Sequence, residues 1–310
     1  MIELLLLVVL GAQPSSFSFY QTEGWTGGDG AYSVDLGRGR TLWLFGDTLV
    51  GRIADGKRTQ MDMIHNSFAI TQGNQREFFL HELKPSEKDS YYWPSDGVLW
   101  NDRLWIFEKK VRNQPGGPPG LDFEWVGEDL LEVKNPQADP PDWTIERHPA
   151  GPLHPGIACL VHEGKLYAYG LKDGKSVLIR YGHDLEPEYF SAVEGWSKDP
   201  SQASILFEQA ASEMSVMPFR GQFLAVYTRG GLGPEVVART APRPEGPWSE
   251  PVLLYKAAET GLLLYAGKAH RTLSDPDRLT ISYCRNIGAL EAHRERPEVY
   301  FPQFLEVKLR

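Results

Sequence analysis

"TLWLFGD", Thr41–Asp47, decides the fold, because the chain repeats it. An apolar-aromatic run following a short turn recurs as "RLWIFEK" at Leu104, "KLYAYGL" at Leu166, "QFLAVYT" at Phe223 and "RLTISYC" at Leu279. Counted from Leu42, the anchors are spaced by 62, 62, 57 and 56 residues, which reads as five copies of one unit. Each copy keeps one order: a strand, a tight turn such as "WNDR", "HEGK" or "FRGQ", the aromatic strand, then one or two further β-type runs. Helical periodicity is absent. Units of about 60 residues with four antiparallel strands each predict an all-β, five-bladed β-propeller. The final "VYFPQFLEVKLR" is expected to supply closing strands, since a propeller must join its last blade to its first or leave an edge exposed.

Composition narrows the function classes. The chain has 310 residues, 41% of them apolar, enough to bury a sizeable core. Lys and Arg number 32 against 41 Asp and Glu, a net charge of -9 with no long basic run, so nucleic acid is a poor partner. The opening "MIELLLLVVLGAQPSS" carries an apolar run from Leu4 to Leu10, then Gly11 and Ala12, the pattern of a signal peptide over residues 1–12. The alternative for the same segment is a buried first strand, since Glu3 stands where Lys or Arg is usual. The first reading predicts export to the periplasm or the extracellular space. The rest, 13–310, is expected to be one domain and a monomer, and the apolar run is too short to span a membrane. Cys159 and Cys284 lack metal-ligand spacing and read as unpaired core thiols.

The hairpin geometry locates a site. The start of a blade's innermost strand and the end of the next lie at the same end, so Asp29 and Asp47 are expected to share a face. The slot before the hairpin holds Asp29, Asp96, Ala158, Glu213 and the neighbourhood of His270. The slot after it holds Asp47, Glu108, Gly170, Arg229 and Asn286. Trp25, Trp93, His65 and Asn66 are expected to join from neighbouring loops. Aromatic faces beside hydrogen-bonding groups suit a sugar, whose C–H face stacks while its hydroxyls need partners. Carboxylates crowded together raise one another's pKa values, so one stays protonated as an acid while another works as a base, as glycosidic cleavage requires.

Asp29, Glu213 and the segment "APRPEGPWSEPVLLY" resemble the five-bladed propeller glycoside hydrolases that include arabinanases and β-xylosidases. The resemblance implies that Asp29 is the general base that activates water, that Glu213 is the general acid, and that the anomeric configuration inverts. It also implies a third carboxylate on the third blade, where this chain has Ala158; Asp96 is the candidate substitute. Each residue has a plainer reading too. Asp47 and Asp29 can be turn residues, Glu213 can be the structural partner of Arg229, and Asp96 stands open between the two. His270 is either a satisfied core histidine or the holder of a water or structural ion in the central channel; otherwise no cofactor and no metal is expected. Trp43, Trp100, Trp105, Tyr167 and Tyr227 read as core.

The expected function is an inverting glycoside hydrolase acting on a neutral poly- or oligosaccharide through Asp29, Asp96 and Glu213. The alternative is a carbohydrate-binding propeller that kept the pocket without the chemistry. A sialidase-like enzyme is disfavoured, because no arginine cluster for a sugar carboxylate is visible.

Overall fold

The computed structural model describes residues 7–116 and 121–310. Apart from a short α-helix, Ala292–Glu295, and three single 3-10 turns, its regular structure is β. Each of the five repeated runs is the second strand of a different antiparallel sheet. The first sheet is Tyr32–Gly37, Arg40–Phe45, Ser67–Gln72 and Gln75–Phe79; the second is Tyr91–Trp100, Arg103–Asn113, Phe123–Val133 and Ile145–Pro149. The third has five strands, Ala158–His162, Lys165–Lys172, Lys175–Tyr181, Pro187–Ser191 and Gly195–Ser197. The fourth is Met214–Phe219, Gln222–Thr228, Glu235–Ala241 and Val252–Lys256. The fifth joins Leu263–Ala269, Arg278–Asn286 and Gln303–Leu309 to Val9–Pro14 from the start of the chain.

A sixth sheet, Glu23–Gly28, Thr48–Ala54 and Lys57–Ile64, departs from five units of four strands. Its hairpin, Thr48–Ala54 and Lys57–Ile64, is inserted after "TLWLFGD" and pairs with Glu23–Gly28 ahead of the first sheet. Its turn at Asp55–Gly56, with both residues at positive φ, is a strong hairpin signal between two strand-like runs. The first six residues of the expected leader lie outside the described residues. Val9–Pro14 forms a strand in which Ala12 pairs with Val307; most of its side chains are exposed.

Alternating apolar residues on each strand pack sheet against sheet. Buried clusters join the first sheet to the second around Leu44 and Ile106, and the second to the third around Phe107 and Ala168. They join the third to the fourth around Tyr169 and Val237, and the fourth to the fifth around Val226 and Ile281. An aromatic cluster places Trp43 of the first sheet against Phe304 of the fifth, with Phe17 and Phe19 wedged beside them. Burying such aromatic side chains stabilises the fold by roughly 1.5–3 kcal/mol each. The leading strands are also stitched directly: Asp96 N to Gly156 O at 3.1 Å, Met214 N to Ile157 O at 3.1 Å, and Ala269 N to Ser215 Oγ at 2.8 Å. Cys159 and Cys284 are both buried free thiols. No helix among the described residues is long and apolar enough to cross a membrane.

Candidate active site

Asp29 follows the accessory strand Glu23–Gly28 and precedes the first sheet. Its amide N–H donates to Asp47 O at 3.2 Å and its carbonyl accepts from Gly46 N at 3.1 Å, so the two acids share one face. Gly46 is required there, because a Cβ at that position would lie 2.5 Å from Asp29 Oδ1. Both acids line a cavity of about 950 Å3, and Glu213, at the entry to the fourth sheet, lines it as well. Tyr91, Trp93, Phe123 and Trp125 of the second sheet form an aromatic wall.

Two tyrosines hold Asp29. Tyr265 and Tyr300 donate their hydroxyls to its Oδ2 at 2.7 and 3.0 Å. Burial raises the pKa of both phenols, with Asp29 adding to it, so they remain donors. Burial, then the charges of Asp47 and Glu213, push the Asp29 carboxyl up to about 7 against those two hydrogen bonds. Tyr300 is fixed by a staple: buried Arg58 donates to the carbonyls of Thr26, His293, Pro297 and Val299, and Gly28 N donates to Tyr300 O at 2.8 Å.

Asp47 Oδ1 accepts from His65 Nδ1 at 2.9 Å and from Trp93 Nε1 at 2.8 Å. The His65 ring stacks on Tyr91 at 3.6 Å. These contacts orient the indole and imidazole along the cavity wall. Asn286 lines the cavity too, its Oδ1 accepting from Gly288 N at 2.6 Å.

Several expected residues lie elsewhere. Trp25 is buried among Phe45, Phe78 and Phe301, with its indole N–H donating to Ser67 Oγ, and is core rather than a sugar platform. Asn66 spends its amide on the backbone of Leu83 and Tyr92. Arg229 pairs with Glu235 at 3.0 Å rather than with Glu213. His270 is the satisfied core histidine: its two ring nitrogens meet Ser33 Oγ at 2.9 Å and Ser282 Oγ at 2.8 Å. Burial, and then Lys268, push its pKa down to about 3, so the ring is neutral and no nitrogen is left for an ion.

Asp96 also turns away from the cavity. It sits in a bulge where Ser95 and Asp96 oppose the single residue Phe107. Its carboxylate accepts from Gly97 N at 2.9 Å and Cys159 N at 2.8 Å, which ties the second sheet to the third. Burial pushes its pKa up to about 7 against those bonds. Matching bulges occur at Thr26–Gly27 and Ala266–Gly267. A bulge re-aims the side chains beside it, and here the last one turns Tyr265 toward Asp29.

Glu108 faces the opposite side of its strand from the cavity. It is wholly buried with neither carboxyl oxygen bonded, and burial, then Asp129, raise its pKa well above the usual range. The cavity position belongs to Lys109. Counted from the anchors Leu42, Leu104 and Leu166, Asp47, Lys109 and Leu171 are equivalent, and all three line the cavity. The Lys109 ammonium donates to Ser212 O at 2.9 Å and lies 5.4 Å from the Trp125 ring centroid. Burial lowers its pKa, opposed chiefly by the charge of Glu213. A lysine inside an apolar-aromatic strand was the sequence signal for it. Tyr265 and Tyr300, in the apolar stretches "LLYAG" and "VYFPQ", carried none.

The floor of the cavity therefore presents a carboxyl with a raised pKa, a second carboxylate on another sheet and a buried ammonium, beside an aromatic wall. Such a floor can exchange protons with a bound polyol and stack its ring. Solved structures with this fold include a Bacteroides ovatus protein whose hydrolase label is itself an inference, with a TM-score of 0.79 at 19% identity over 93% of this chain and 87% of that one. A GH43 β-xylosidase/α-arabinofuranosidase from a compost microbial metagenome has a TM-score of 0.53 at 12% identity, covering 97% and 94%. An exo-β-1,3-galactanase from Phanerochaete chrysosporium has a TM-score of 0.54 at 10% identity, covering 95% and 63%. At these identities the likeness is one of fold. No match was found among curated proteins. The family model for a domain of unknown function, DUF5005, matches residues 16–309, nearly the whole chain, and the protein therefore belongs to the DUF5005 family.

Proposed function

We propose that this chain is a glycoside hydrolase built as a five-bladed β-propeller, with Asp29 as the general base that activates water and Glu213 as the general acid that protonates the leaving oxygen. The observation that carries this reading is the convergence of the paired Asp29 and Asp47, which flank the first hairpin, and of Glu213 from the fourth sheet on one aromatic-walled cavity. Isolated turn carboxylates have no reason to meet in this way, and burial together with the charges of Asp47 and Glu213 raises the pKa of Asp29 toward the range in which a base exchanges protons. The five-blade count is supported by the five repeat strands in five sheets and by the contact of Trp43 with Phe304, which brings the fifth sheet against the first.

The substrate is a neutral carbohydrate. Asp29, Asp47, Asp122 and Glu213 outnumber Lys109 around the cavity, so an anionic sugar is repelled. Asp29 and Glu213 belong to the first and fourth blades, which are not neighbours in a ring of five. That arrangement leaves room for a water between them, which requires carboxyl groups roughly 6.5–9.5 Å apart and gives inversion. Export, a single domain and a monomeric state complete the proposal.

A second reading, a carbohydrate-binding protein without turnover, is favoured by one observation: Ala158 occupies the third sheet's leading slot and Asp96 is engaged with backbone N–H groups instead of the cavity. A panel of aryl glycosides and neutral polysaccharides separates the two. The hydrolase reading expects release of sugar from at least one substrate; binding by calorimetry with no release from any would establish the second.

A further inference from the structure

Beside the polar Asn113 and Asp122, the exposed lining of the cavity carries four large apolar side chains. Met63, Leu121, Leu232 and Leu290 all line the cavity, and each is between 38% and 50% exposed. Single exposed apolar residues are ordinary on protein surfaces. These four come from four separate segments: the accessory strand Lys57–Ile64, the approach to Phe123–Val133, the turn after Gln222–Thr228, and the residues ahead of the helix Ala292–Glu295. All four line the same cavity from its solvent-exposed side.

This collar is continuous with the acidic floor. Leu232 forms a backbone bridge with Tyr265, whose hydroxyl donates to Asp29. Met63 pairs with Leu49, itself a cavity wall, and Leu290 leads into the segment that carries Tyr300. A ligand whose sugar reaches Asp29 therefore passes its other end between these side chains. Hydroxyls of a continuing saccharide would lose water there without gaining partners from the four side chains, whereas an apolar group is stabilised by the same burial.

Resting on the glycoside-hydrolase reading, we propose that the collar binds the aglycone and that the substrate is an amphipathic glycoside: a neutral sugar at the floor joined to an apolar alkyl or aryl group at the rim. The test uses the full chain carrying Glu213→Gln, which suppresses turnover of alkyl glycosides. Its binding to n-butyl, n-hexyl and n-octyl β-D-xylosides, β-D-galactosides and β-D-glucosides is measured by calorimetry below their micelle-forming concentrations. For at least one sugar, affinity is expected to rise about two- to fourfold per added methylene. In a second protein that also carries Met63→Ser, Leu121→Ser, Leu232→Ser and Leu290→Ser, the rise is expected to flatten, with an unchanged melting temperature showing that the fold is intact.

Affinities that do not change with chain length, tighter binding of xylotriose than of the octyl xyloside, or no binding of any octyl glycoside would each overturn the proposal. So would equal binding of octyl tetraethylene glycol, which has the chain without the sugar. Hydrolysis in the panel together with a flat alkyl series refutes the collar assignment alone; a steep series with no hydrolysis refutes the hydrolase reading alone.

Discussion

Asp29→Asn removes turnover on every glycoside that the wild-type protein cleaves, with a loss in kcat on the order of 100- to 10,000-fold. Asparagine keeps the size of the side chain, and its carbonyl oxygen still accepts from the Tyr265 and Tyr300 hydroxyls. It cannot take a proton from water. The loss is therefore the same for good and poor leaving groups, because water must be activated whichever group departs. Steady-state rates on a nitrophenyl and an alkyl glycoside of one sugar check it; wild-type rates on both would remove Asp29 from the chemistry.

The same substitution changes stability with a definite sign. The Asp29 carboxyl is pushed from 3.8 up to about 7 in the folded protein, so between those values the unfolded chain has released a proton that the folded chain retains. Stability contributed by the neutral form is complete below about pH 4 and is lost as pH rises through 7. Asp29→Asn is consequently more stable than wild type at pH 8, by on the order of 1–3 kcal/mol once the solvent reaching the cavity is allowed for. Near pH 4 the two melt together. The floor thus trades stability for a poised base.

Glu213→Gln separates substrates by their leaving groups. A glutamine cannot give a proton to the departing oxygen, so alkyl glycosides, whose alkoxide leaves poorly, lose about 100- to 10,000-fold in kcat. Dinitrophenyl glycosides, whose phenolate leaves unaided, stay within about tenfold of wild type under the same argument. Binding persists, because Lys109 remains anchored to Ser212 O and the aromatic wall is untouched. Equal losses on both substrate types would show that Glu213 acts on something other than the leaving group.

The strands were legible because each repeat announces itself twice, by its aromatic anchor and by the tight turn ahead of it. All five runs fell in separate sheets, each as the second strand. Hairpin geometry was enough to bring Asp29 to Asp47. What defeated the reading was register. A bulge shifts the pairing by one residue without any mark in composition, and Asp96 was lost to the bulge opposite Phe107. Glu108 is the residue expected in that slot, but counting from Leu104 as Asp47 is counted from Leu42 selects Lys109. Long-range contacts were the other gap: Tyr300 reaches Asp29 only because Arg58, from the accessory hairpin, pins the segment before it. Trp25 and Asn66, expected at the site from neighbouring loops, are claimed by packing and by backbone bonds instead.

The central claim is that Asp29 and Glu213 face each other across a water. Proton NMR of the first anomer released by the wild-type protein, recorded before mutarotation, tests this most directly. The account predicts a first product of inverted configuration, with the retained anomer appearing only at the rate of mutarotation. A first product of retained configuration would contradict it, since the attacking group would then be a carboxylate about 5 Å from its partner rather than a water held by Asp29.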